Sequence, residues 1–225
     1  MLTRDTALRI AYVERPNMLL RLAEFTESYA LVDKPALIVQ ACPEDRNATL
    51  TDSAIKAALG QGTDRDVAWW DGFHTYQAVN PIFRGFATKD AREDPRWAFE
   101  MHRDGSCIAG VWAFPNGRHE GAGPCMHDFY AGFFEDFTNM VLRLTSDATT
   151  TYRLTATLLH SNRLPFVIDD GGWSRVTPAP RLATLQWPLR PVSQPDTWHA
   201  AVTAMNIELF GAYGLVYHPK ARHES

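Results

Sequence analysis

Three groups of side chains in this chain could do chemistry. The first is His102 with Cys107, carried by Trp97-Ala-Phe-Glu-Met-His-Arg-Asp-Gly-Ser-Cys-Ile-Ala-Gly-Val-Trp-Ala-Phe114. Asp104-Gly105 is the dipeptide that a two-residue type I′ turn favours, because both of its central residues need positive φ. A turn there pairs Arg103 with Ser106, His102 with Cys107, Met101 with Ile108 and Trp97 with Trp112. Directly opposed residues stand about 5 Å apart at Cβ. An imidazole at that distance from a thiol is the arrangement of an activated cysteine nucleophile. The plain alternative is a polar pair on the open face of a hairpin, with Glu100 beside it. The other face, carrying Trp97, Phe99, Met101, Ile108, Trp112 and Phe114, is built to be buried.

The second group is His119-x5-Cys125-x-His127, three nitrogen and sulfur donors within nine residues. Zinc takes four ligands in a structural site and three plus water in a catalytic one. The spacing matches no standard finger, and the second half of a paired ligand motif is missing. His127 also opens an apolar helix, where a polar first residue is ordinary. The third group is Trp69-Trp70-Asp71-Gly72-Phe73-His74, an aromatic cluster in a loop. Exposed, Trp69, Trp70 and His74 would form a recognition surface that stacks on a base or fills a partner's pocket. The bland reading is a loop pinned onto the sheet by its own tryptophans.

Other short matches carry less. His102-Arg103-Asp104 resembles the catalytic loop of protein kinases, but no Gly-rich phosphate loop and no Asp-Phe-Gly accompany it. Asp169-Asp170-Gly171-Gly172 reads as a turn before it reads as a cation site. The chain has no GxGxxG, no Walker motif and no GxSxG.

The elements that must position these groups follow from periodicity. Pro16 suits a first helical turn, and Met18, Leu22, Phe25 and Tyr29 recur on one face after it. Residues 4–14 read as a short preceding helix. Leu37 to Cys42 is a strand between Pro35 and Pro43. Thr51 caps a helix through Ile55 and Leu59 that Gly60 closes. Residues 60–75 read as irregular and surface-exposed. Ile82 to Thr88 is one strand, and the 97–114 hairpin follows. After a Gly/Pro-rich loop at 115–124, Met126, Phe129, Phe133, Phe137, Met140, Val141 and Leu144 make one helical stripe. Tyr152, Leu154, Ala156 and Leu158 alternate with Arg153, Thr155 and Thr157 as a half-buried strand. Phe166-Val-Ile and Leu182 to Trp187 are further strands, with Pro188, Pro191 and Pro195 confining the latter to an edge. Pro195 opens a last helix with Trp198, Val202, Met205 and Leu209 inward. The expected fold is α+β: a mostly antiparallel sheet packed by amphipathic helices in one domain over 1–225, with a helical lead-in at 4–31 and the sheet and helices at 35–214.

Composition bounds the function class. The chain has 225 residues, 45% hydrophobic and 21% charged, which is ordinary for a folded domain. A net charge of −4 argues against a surface built to neutralise many phosphates. Three cysteines are too few, and odd in number, for a disulfide framework. The longest near-apolar run, 36–42, falls far short of the roughly 20 residues that span a bilayer. The start, Met-Leu-Thr-Arg-Asp-Thr, does not read as a signal peptide. The expectation is a cytoplasmic protein without cofactor or membrane partner.

The order Pro35-Ala-Leu-Ile-Val-Gln-Ala-Cys-Pro43, Ile82-Phe-Arg-Gly-Phe86, Glu100-Met-His-Arg-Asp-Gly-Ser-Cys-Ile108 and Gln186-Trp187-Pro188-Leu189, over roughly residues 10–210, resembles a known arrangement. It is similar to the region that follows the Schlafen AlbA_2-type DNA-binding domain in many bacterial proteins. Nothing here matches the AlbA_2-type domain itself. The resemblance therefore implies a domain from the C-terminal part of a longer protein, or a stand-alone version of it. It implies an accessory, sensing or interaction role in nucleic-acid-associated, defence-related proteins, and carries over no catalytic residue. The partner is then a protein or the rest of a longer polypeptide, with nucleic acid contacted indirectly. The leading expectation is a non-enzymatic domain of this kind. The alternative is a hydrolase using the Cys/His pair or a bound metal.

Overall fold

The computed structural model describes residues 16–45, 49–61, 72–73, 77–93, 95–112, 127–144, 150–169 and 174–218. Helix α1 (Pro16–Ser28) is followed by strand β1 (Ala36–Pro43) and helix α2 (Asp52–Gln61). Strands β2 (Asn80–Ile82), β3 (Gly85–Lys89), β4 (Trp97–His102) and β5 (Cys107–Val111) come next. Helix α3 (His127–Leu144) leads to β6 (Tyr152–Leu159), β7 (Phe166–Asp169), β8 (Ser174–Thr177), β9 (Thr184–Gln186) and β10 (Arg190–Val192). Helix α4 (Pro195–Ala212) closes the described fold.

The main sheet runs β10-β6-β1-β5-β4-β3-β2, with β9 also on β6, and every pair is antiparallel. The expected α+β class with an antiparallel sheet is what the chain forms. β1 lies in the interior of the sheet and reads as a near-apolar run, broken only by Gln40, because both faces of the sheet are covered. On one face Leu37, Val39, Phe99, Ala109 and Leu154 join Ile55, Phe133, Phe137, Trp198 and Leu209 from α2, α3 and α4 in the large core. On the other face Phe25, Ala36, Ile38, Ala98, Ile108 and Trp112 form a smaller core under α1. Phe166 of the separate β7–β8 hairpin packs on Phe210 and Tyr213, with centroids 4.9 and 4.8 Å away.

The helices fall where their spacing puts them. Thr51 accepts the Ala54 N–H at 3.3 Å and so caps α2, which continues one residue past Gly60. Trp198, Val202, Met205 and Leu209 are buried on α4.

The strands differ from expectation in several places, β8 and β10 forming where no strand was expected. First, residues 82–88 are two strands rather than one. The chain turns at Phe83–Arg84, where Arg84 has φ 70°, a conformation that sequence reading assigns to glycine. Second, Thr155 and Thr157 are buried. The Thr155 hydroxyl donates to the Trp187 carbonyl at 2.7 Å, so only Arg153 of the supposed polar face reaches solvent. Third, the strand expected over 182–187 is the three-residue β9. The short helix expected at 4–14 and the loop at 115–124 lie outside the described residues.

The hairpin register is also shifted by one. Met101 pairs with Cys107, Phe99 with Ala109 and Trp97 with Val111. Only Gly105 has positive φ, 78°, and Asp104 does not, so a type I′ turn is not formed. Instead His102 and Ser106 flank a three-residue loop, with the His102 N–H donating to the Ser106 carbonyl and the Gly105 N–H to the His102 carbonyl, each at 2.9 Å. The Asp104 carboxylate accepts from the Ser106 N–H at 3.0 Å and its hydroxyl at 2.5 Å, fixing this longer loop. A slip of one residue moves a strand's whole side-chain set to the other face. Ile108 and Trp112 therefore lie under α1, while Trp97, Phe99 and Met101 lie in the large core.

Candidate functional site

The register shift decides where His102 and Cys107 go. Cys107 leaves the sheet on the Met101 side and is 2% exposed in the large core. Its thiol donates to the Gly105 carbonyl at 3.7 Å. His102 leaves on the opposite side with Glu100, so the imidazole does not stand over the thiol and the expected pairing is not formed. Burial, reinforced by the negative charge of Asp104, pushes the Cys107 thiol far above its ordinary value near 9, so it stays protonated and unreactive. At pH 8 a maleimide probe is expected to label native Cys107→Ala and wild-type protein equally. In urea the wild type is expected to take up one more label. Unequal labelling of the native proteins would show Cys107 to be accessible.

The other expected groups are placed as follows. Trp69, Trp70 and His74 lie outside the described residues. Phe73, between them, is fully buried against Trp97, Phe99 and Phe133, with centroids 5.2, 5.0 and 5.7 Å away. At that position the segment is anchored in the core rather than surface-exposed. His119 and Cys125 also lie outside, and His127 is the first residue of α3. Among the described residues no group of three His, Cys, Asp or Glu side chains could hold a metal ion. Among the same residues no helix is long and apolar enough to cross a membrane.

What the fold does build is a cleft of about 510 Å³ on the α1 side of the sheet. Helix α1 covers β1 and β5 but does not reach across β3 and β2. The strand residues in register there are Ala87 opposite Glu100 and Gly85 opposite His102. Small residues beside a carboxylate and an imidazole leave the space open. Glu24, Ser28 and Tyr29 form the helix wall, Asn80, Ile82 and Phe83 the outer rim, and Lys89 one end.

The polar groups at the bottom are buried. Glu100 is 8% exposed and His102 3%. The Tyr29 hydroxyl hydrogen-bonds Glu100, and burial together with the Glu100 charge pushes that phenol well above its ordinary value. It remains a neutral donor to the carboxylate. His102 Nε2 lies 3.2 Å from Glu100 Oε2, yet the two are not aligned for a hydrogen bond. Neither ring nitrogen has a hydrogen-bond partner among the described residues.

Beneath the hairpin turn, Arg21 of α1 is buried and paired, with Glu24 at 3.0 Å and Asp104 at 3.3 Å. Burial pushes the Asp104 carboxyl up, but the Ser106 hydrogen bonds and the Arg21 guanidinium outweigh it and hold it below the usual range. This contact ties α1 to the β4–β5 turn.

Sequence reading placed Glu100 and His102 on one face but gave Glu100 no role. A glutamate at the centre of a strand that is apolar up to His102 was the available signal. Tyr29 and Glu24 were not anticipated, because Tyr29 falls on the helix's apolar stripe. No protein-family model, no curated protein and no solved structure matches this chain.

Proposed function

We propose that this chain is a non-enzymatic sensing domain that binds a small ligand in the cleft between α1 and β2–β4. The observation that carries this reading is His102, a buried imidazole without a hydrogen-bond partner among the described residues, beside a buried carboxylate at the cleft's inner wall. A buried polar atom left unpaired costs about 1–3 kcal/mol. A cleft of some 300–1,000 Å³ with a few convergent polar groups is the usual form of a small-molecule site. The separation of His102 from Cys107 by the sheet favours binding over nucleophilic chemistry at this place. The ordered resemblance to the region downstream of AlbA_2-type DNA-binding domains supports an accessory position in a bacterial, cytoplasmic and defence-related system. Occupancy would then be passed to a protein partner or to the rest of a longer polypeptide, and to nucleic acid only indirectly.

Ala87 supplies the test, since a larger side chain there fills the cleft floor. In amide-detected NMR titrations with a mixed metabolite library, ligands of the wild type are expected to shift Ala87, Glu100 and His102. Ala87→Leu, with its dispersed spectrum confirming the fold, is expected to lose those shifts. Hits that bind Ala87→Leu as well as wild type, or that shift only residues outside the cleft, would overturn the reading.

A further inference from the structure

The charges around the cleft restrict what it can hold. Two other buried charges of the described structure are met by opposite ones. Asp90, 5% exposed, accepts from the Arg96 guanidinium at 3.0 Å and from the Arg92 and Arg96 backbone N–H groups. Arg21 has Glu24 and Asp104. Glu100 differs: among the described residues no lysine or arginine pairs with it, and its neighbours are the Tyr29 hydroxyl and the His102 ring, whose Nε2 lies 3.2 Å from its Oε2. Taking a carboxylate out of water without a cation costs several kcal/mol, and no lysine or arginine of the described residues offsets that cost on the cleft side of Glu100.

We infer that the cleft takes a small organic cation, an amine carrying an apolar body, with its ammonium group on Glu100. This rests on the binding reading above and names the ligand class for the same site. An ammonium offers three donors. The Glu100 carboxylate is an acceptor at the inner wall, and Ser28 and Asn80 carry further oxygens on the walls. Ile82 and Phe83 at the mouth suit a hydrocarbon body, and Phe83 is 77% exposed there.

Alternative ligands fit less well. An anion would face Glu100 and Glu24 together. A divalent metal would find only two protein ligands, Glu100 and His102, where a catalytic zinc site supplies three. Among the described lining residues Lys89 is the one lysine or arginine; it is exposed, where solvent screens it, whereas Glu100 acts from a desolvated position.

The test is calorimetric titration of the intact chain at pH 7.5 with n-butylammonium and phenethylammonium, against n-butanol, phenethyl alcohol and butyrate as matched uncharged and anionic probes. The ammonium probes are expected to bind at least about tenfold more tightly than their matched alcohols, a difference of about 1.4 kcal/mol. Glu100→Gln, which keeps the shape and removes the charge, is expected to abolish that preference. Equal or tighter binding of an alcohol or of butyrate, no binding of either ammonium probe, or an unchanged preference in Glu100→Gln would overturn the cation assignment. The wild-type comparison decides the matter by itself should Glu100→Gln fail to fold. If uncharged or anionic probes bind wild type but not Ala87→Leu, the binding reading stands while the cation assignment falls. If Ala87→Leu binds every probe as wild type does, the binding reading falls with it.

Discussion

Gly85→Ala is expected to destabilise the protein by about 3 kcal/mol, the upper end of what overpacking a close-packed site costs. A Cβ on Gly85 would run into the Met101 carbonyl oxygen and come within 2.8 Å of the His102 Cα. Both obstacles are backbone of the neighbouring strand, in register with Gly85, and cannot swing aside as a flexible side chain would. The β3–β4 ladder must separate locally, and that ladder carries the cleft floor. Gly60→Ala is the control: nothing lies within 4 Å of its Cβ position on α2. That substitution is expected to stabilise by about 0.5–1 kcal/mol through helix propensity. Urea unfolding midpoints of the two variants check both signs. A Gly85→Ala variant within about 0.5 kcal/mol of wild type would mean that the strands are not held as closely as described.

Phe25→Ala is expected to cost about 3–5 kcal/mol, as for a fully buried phenylalanine removed from a packed core. Phe25 is 1% exposed and lies over Gly110, whose Cβ position is 2.6 Å from the ring. Its ring packs tilted against Tyr29 and edge-on against Trp112, at centroid distances of 4.6 and 6.4 Å. It is thus the main apolar peg that seats α1 on the sheet, and glycine at 110 is what lets it approach. Tyr29, one turn later, reaches Glu100 only because this seating holds. Loss of the Phe25 ring should therefore weaken both the fold and any ligand binding in the cleft, whereas Glu100→Gln should affect chiefly binding. Denaturation paired with calorimetric titration separates the two. A Phe25→Ala protein of wild-type stability would remove α1 from its assigned place.

Much of this arrangement was legible in the sequence. The recurrence of Met18, Leu22, Phe25 and Tyr29 marked α1 and its buried side. Thr51 marked the start of α2, and the apolar 36–42 run marked the central strand, since each signal is local. The hairpin register was not legible from Asp104-Gly105 alone. That dipeptide serves both a two-residue turn and a three-residue loop, and Arg21, 83 residues away, contributes to holding Asp104 in the second. The break at Phe83–Arg84 was hidden because an arginine, not a glycine, takes the positive φ. Thr155 and Thr157 alternate as surface residues do, and only their tertiary surroundings bury them. The cleft joins a helix near residue 29 to strands near residues 85 and 100, and no local pattern announces that meeting.

The outermost strands have a bearing on how copies of this protein meet. β2 and β10 are each three residues long, and each contains a proline, Pro81 and Pro191. A proline has no N–H to lend to an incoming chain, and three residues give little length over which to zip. At these two margins the sheet resists being extended by another molecule's backbone. Crowded copies are thereby discouraged from polymerising strand upon strand, and association at those places is left to side chains, where charge and shape can choose the companion.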